Sequence, residues 1–208
     1  MPLHDQPPQP AASAIARGMG YGLVGVLIFG MTLPATKLAV AGLDPLFVAL
    51  GRAILAAGLA AIALAVTRAR LPHRATWGRF ARVGLGVVLG FPLLATIAMR
   101  YAPASHGGVV IGVLPLATAM ASVFVAGERP SAAFWAWGLA GSAAVLAYAL
   151  ITGAGSTSLH WADLLLAGAV VSAAWGYAEG AVLSRHIGGW EVISWALVLS
   201  APVLVVLL

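Results

Sequence analysis

The stretch PLFVALGRAILAAGLAAIALAVT, residues 45–67, holds one charged side chain, Arg52, in twenty-three positions. A helix needs about 20 consecutive apolar residues to cross the hydrocarbon core of a bilayer. This run is too long for a strand, and it has no polar face to turn toward water. Working outward, six more runs of the same kind lie at about 20–40, 80–99, 105–126, 131–152, 162–184 and 191–208. Short turn-rich pieces separate them, such as Gly42-Leu43-Asp44-Pro45, Gly153-Ala154-Gly155-Ser156 and Ile187-Gly188-Gly189. Connections this short make successive helices antiparallel neighbours. The expected fold is an all-α polytopic membrane bundle of seven spans.

Composition agrees. Of 208 residues, 62% are hydrophobic and 8% charged, against about 45–50% and about 25% in soluble domains. The mean hydropathy of +1.00 makes lipid the solvent. The runs are far longer than the alternating segments of about 10 residues that build a membrane barrel. With no cysteine there is no disulfide framework, thiolate metal site or cysteine nucleophile. No metal site or cofactor is expected either, since His4, His73, His106, His160 and His186 are scattered rather than paired at helical spacing.

A net charge of +5 raises nucleic acid as a partner, but the basic residues sit mostly in loops. Arg17, Arg68, Arg70, Arg74, Arg79, Arg82, Arg129 and Arg185 fall on one side of the threading, against Lys37 and Arg100 on the other. Cytoplasmic loops collect Lys and Arg, so the N-terminus is expected inside and the charge reads as topological. Residues 1–17, with Pro7, Pro8, Pro10, Gln6 and Gln9, read as a disordered cytoplasmic tail. The chain stops inside an apolar run, Val203 to Leu208, and is expected to be a piece of a longer protein.

An offset of 146 lays Phe29-Gly30 on Trp175-Gly176 and Gly42 on Gly188. Five spans separate the two copies, and an odd number inverts the second, a common build for secondary transporters. The segment GMTLPATK (Gly30 to Lys37), with Asp44-Pro45 and Arg52, resembles the first two helices of the EamA family of the drug/metabolite transporter superfamily. Met99-Arg100-Tyr101-Ala102-Pro103-Ala104-Ser105-His106, Leu114-Pro115-Leu116, Gly127-Glu128-Arg129-Pro130 and Trp137-Gly138 resemble its third to fifth helices, and Ala174-Trp175-Gly176-Tyr177 the start of its second repeat. The resemblance implies ten helices in two inverted five-helix repeats. Residues 18–152 would be the first repeat and 153–208 the start of the second. It also implies export of small metabolites such as amino acids by alternating access across the bacterial inner membrane, with protons as one candidate driving ion. Lipid and a small-molecule substrate are the expected partners, without nucleic acid; the oligomeric state is left open.

Ionisable groups inside spans cost several kcal/mol by insertion scales and mark pathways, which singles out Lys37, Arg52 and Glu179. Arg52 lies roughly 10 Å into its helix at 1.5 Å per residue. The alternative for Lys37 and Arg52 is snorkelling to the outer interface or pairing with Asp44. Together with Arg100 they would make a positive outer vestibule for a substrate carboxylate, with Tyr101 and His106 donating hydrogen bonds. Tyr101 and His106 read equally as interface anchors, and Trp175 and Tyr177 as cavity or packing residues. Pro34 and Pro115 are candidate hinges or simple kinks, because proline frees a carbonyl within a span. Glycine pairs at Gly18/Gly22, Gly86/Gly90, Gly108/Gly112 and Gly176/Gly180 are expected at close helix crossings.

An intramembrane enzyme or a membrane interaction protein is the rival reading. A serine hydrolase needs a nucleophile in a Gly-flanked motif plus a base. The similar string, Gly153-Ala154-Gly155-Ser156, has only His160 nearby.

Overall fold

A computed structural model describes residues 12–152 and 161–208. Among these residues seven helical stretches are long and apolar enough to cross a membrane: Ala16–Ala39, Pro45–Val66, Arg74–Tyr101, Ala104–Ala126, Ala132–Ala149, Trp161–Ser184 and Gly189–Leu207. The seven expected spans are all present. Three are interrupted, each beside a proline. The first span is α1 (Ala12–Gly30) and α2 (Thr32–Ala39), parted at Met31 shortly before Pro34. The second is the unbroken α3 (Pro45–Val66). In the third, α4 (Trp77–Val83) runs into a π-helical segment, Gly84–Gly90, and then into α5 (Phe91–Tyr101). Pro92 has no N–H to donate and its ring crowds the carbonyl four residues back. The backbone yields by widening, and the Phe91 N–H bonds the Gly86 carbonyl five residues earlier. The fourth span breaks between α6 (Ala104–Ile111) and α7 (Leu114–Ala126), where Pro115 opens α7. The remaining spans are α8 (Ala132–Thr152), α9 (Trp161–Ser184) and α10 (Gly189–Leu207); α10 continues through Pro202.

Local chemistry explains the ends. Asp44 accepts from the N–H groups of Leu46 and Phe47, with Pro45 leading α3, an N-cap. Gly127 closes α7 at φ 64°, a left-handed cap that glycine adopts without steric cost. α1 begins at Ala12, inside the stretch 1–17 expected as a tail. Past Pro10 the sequence turns alanine-rich, which favours helix. Residues 1–11 lie outside the described residues.

The sixth span, α9, is the centre. It packs against α4, the π segment, α5, α6, α7 and α10, and Leu166, Ala169, Ala173 and Ala178 are sealed from solvent. α3 lies along α10, so the second span packs on the seventh. α1 and α8 are peripheral, α1 against α2 and α8 against α6 and α7. Their apolar side chains point outward, as do Leu55, Phe124 and Val206. In water these would be exposed hydrophobics; in lipid they are the solvated surface.

The π segment and α9 touch backbone to backbone. A Cβ on Gly86 would sit 2.5 Å from the Ser172 carbonyl oxygen and 2.9 Å from the Gly176 Cα. A Cβ on Gly90 would strike the Ser172 hydroxyl, which donates to the Gly86 carbonyl at 3.2 Å. The expected small-residue crossing is met by Gly86, Gly90 and Gly176, whereas Gly18, Gly22 and Gly108 have no neighbour a methyl would meet.

Partnerships near the ends of the spans fit the antiparallel threading. At one end Arg79 and Arg82 pair with Glu179, and Arg185 pairs with Glu128; this is the arginine end. At the opposite end Lys37 bonds the Met99 carbonyl, His106 pairs with Asp163, and Tyr101 packs on Trp161.

Candidate functional site

Between the first, second, third, sixth and seventh spans lies a cavity of about 310 Å³. Its polar wall is Arg52 from α3, Thr32 from α2 and Tyr177 from α9; its apolar wall includes Phe29, Phe91 and Pro92. Helical spacing puts Arg52 and Ala56 one turn apart on one face of α3, and the small Ala56 side chain leaves the guanidinium room. The rings of Phe29 and Phe91 stack at 6.1 Å and 25°. Pro92 and Phe91 reach the cavity because the π segment widens the helix just before them.

Arg52 is half-buried. Among the described residues no carboxylate or carbonyl pairs with it; Asp44, the acid closest in sequence, is occupied in capping α3. A guanidinium offers five donors and stays charged, and in a low-dielectric cavity an unpaired cation attracts an anionic group strongly. With a phenol and a threonine hydroxyl nearby and an aromatic pair opposite, the cavity is suited to a small amphipathic anion.

The other expected residues lie elsewhere. Lys37 Nζ donates to the Met99 carbonyl at 2.8 Å; it neither snorkels nor pairs with Asp44, and it ties the first span to the third. Arg100 is exposed, and neither it nor Lys37 lines the cavity that holds Arg52. His106 Nε2 meets Asp163 Oδ1 across the gap between α6 and α9. Tyr101 is exposed and packs edge-on against Trp161 at 4.3 Å. Trp175, 45% exposed, faces away from the cavity. A residue two positions on is turned by about 200° around a helix, so Trp175 and Tyr177 cannot both point inward. Glu179 is buried and accepts from Arg79 at 2.6 Å and from Arg82 at 2.5 Å. Pro34 is exposed, and Pro115 borders a separate groove with Ser122, Glu128 and Arg129.

Arg52 and Tyr177 are thus the two expected residues that the fold brings together. Thr32, Phe29, Phe91 and Pro92 were not singled out as site residues, and Arg79 and Arg82 counted only as topological charge. The spacing of Arg79 and Arg82 was a usable signal: three residues apart, they share a helix face that a buried acid could bridge. Among the described residues no three His, Asp or Glu side chains converge as a metal would require. Gly153-Ala154-Gly155-Ser156 and His160, the hydrolase-like string and its base, lie outside the described residues.

A family model described as the EamA-like transporter family matches residues 16–153. This chain belongs to that family. The match runs from α1 through α8 and includes Arg52 and the π segment. The EamA-like chain is also similar to a Bacillus subtilis (strain 168) protein named "Uncharacterized transporter YdeK", at 47% identity over 183 residues. The alignment covers 88% of this chain and 63% of the relative, so the chain spans under two thirds of the length of the curated relative it matches. No solved structure matches. Family membership and the seven spans make this EamA-like chain a multi-pass membrane protein.

Proposed function

We propose that the protein is a secondary transporter exporting small carboxylate-bearing metabolites, amino acids among them, across the bacterial plasma membrane by alternating access. The observation that carries this reading is Arg52 in the central cavity, with no pairing carboxylate or carbonyl among the described residues. Ionisable groups inside a membrane mark substrate pathways by default, and a carboxylate is the planar anion a guanidinium fork binds with two parallel hydrogen bonds. The volume is at the small end of the ~300–1,000 Å³ typical of ligand sites, which favours a metabolite over a large drug. Tyr177 and Thr32 would donate to polar atoms of the substrate, and Phe29 with Phe91 would take its apolar part.

The packing of the second span on the seventh supports an inverted repeat, because the 146-residue offset makes these spans equivalents and a two-fold axis brings equivalents together. In this reading the arginine end faces the cytoplasm, as the positive-inside rule requires, and the chain breaks at Pro34 and Pro115 act as hinges. Lys37, Tyr101 and His106 lie at the outer mouth. Glu179 secures the inner end.

The test replaces Arg52 by Gln and by Lys and measures export of a panel of amino acids alongside their decarboxylated amines. Arg52→Gln should slow export of the acids at least tenfold, about 1.4 kcal/mol, at normal expression, with Arg52→Lys intermediate because the bidentate fork is lost but the charge kept. Unchanged export of every carboxylate would overturn the reading.

A further inference from the structure

A second cavity of about 310 Å³ lies between the third, sixth and seventh spans, bordered by Val83, Gly180, Ala181, Ser184, Gly189 and Val192. These positions carry it toward the arginine end. Val87, Tyr177 and Ile193 line both this cavity and the central one. Each of the three spans contributes one of the shared side chains. From this we infer that Val87, Tyr177 and Ile193 form the gate between the central cavity and the arginine end, one side chain thick. The inference rests on the transport reading for its purpose but not for its test.

Two branched aliphatic side chains and a phenol make a seal that is apolar apart from one hydroxyl. A hydrated ion crossing it while closed, a substrate carboxylate included, would be stripped of water with no replacement ligands, which is costly. Closed, the seal therefore occludes ions of either sign.

The backbone behind it departs from regular α geometry. Val87 sits in the π-helical segment, where single-turn departures from α geometry often mark functional sites. Its side chain leans on a glycine: a Cβ on Gly176 would sit 2.7 Å from Val87 Cγ2. Gly176 immediately precedes Tyr177, so the Val87 side chain lies against the α9 backbone next to Tyr177. Ile193, 37% exposed, closes the third side without being locked in the core.

The absence of native cysteine allows a direct test. Ala56→Cys reports on the central cavity and Ala181→Cys on the second one, each labelled in membrane vesicles by an impermeant thiol reagent presented at the arginine end. With Tyr177 in place, Ala56→Cys should react slowly; with Tyr177→Ala it should react at least tenfold faster. Ala181→Cys should react equally in both backgrounds, which controls for access of the reagent to the arginine end. Should Tyr177→Ala not accumulate, Ile193→Ala is the second opening variant. Fast labelling of Ala56→Cys with the gate residues intact, or no acceleration in either variant, overturns the gate. Labelling needs no substrate, so this failure is separate from that of the Arg52 export test.

Discussion

Arg79 and Glu179, one hundred positions apart in sequence, meet at 2.6 Å at the arginine end. The carboxylate is 5% exposed, while Arg79 and Arg82 are 36% and 48% exposed. The asymmetry decides which deletion hurts. Removing Glu179 releases two guanidinium groups that can turn to water, whereas removing both arginines leaves a buried carboxylate with nothing to neutralise it.

The unfolding midpoint in detergent should therefore fall more for Arg79→Ala combined with Arg82→Ala, about 3 kcal/mol, than for Glu179→Gln, about 1 kcal/mol. Adding Glu179→Gln to the double variant should recover part of the loss. A triple variant less stable than the double would show that the buried charge is not the cause.

Glycine substitutions should separate the crossing from the periphery. Gly86→Ala forces a methyl against the Ser172 carbonyl and the Gly176 backbone, an overpacking worth about 1–3 kcal/mol. Gly22→Ala meets nothing and should be neutral or gain up to about 1 kcal/mol from helix propensity. Equal losses at both sites, read from thermal unfolding, would contradict the contact between the π segment and α9.

Lys37 and Arg52 should behave differently despite their like charge. Lys37→Gln loses one hydrogen bond to the Met99 carbonyl and should lower stability by about 1 kcal/mol while export selectivity holds. Transport assays across a substrate panel check this. A change in selectivity at equal expression would return Lys37 to the substrate path.

The membrane orientation has its own probe. Arg74→Cys should resist an impermeant thiol reagent added to intact cells and react once the cells are opened. Arg100→Cys should react from outside. The reverse pattern would invert the topology.

The spans were legible because burial in lipid writes itself as uninterrupted apolar length, independent of which face of a helix meets which neighbour. The site was not, because it depends on rotation about each axis. Trp175, Tyr177 and Glu179 lie within five residues, yet they point respectively to lipid, to the cavity and to an ion pair. Tyr177 and Arg52 could be named from residue type alone. Their meeting could not, since no local pattern ties α3 to α9. The π segment was hidden for a related reason: Pro92 announces a disturbance, but only the glycine contact with α9 and the Ser172 hydroxyl on the Gly86 carbonyl set its form.

The central position of α9 has a consequence for how the protein is made. Translation delivers α1 to α8 before α9, and those helices enter the bilayer carrying Arg79, Arg82 and His106 before Glu179 and Asp163 have been synthesised. Five spans must wait, with their basic groups unneutralised and their packing faces open, for the sixth to emerge. Until α9 arrives the nascent bundle has no axis to assemble around. The helix that organises the packing of the described spans is thus made after five of them are already in the membrane.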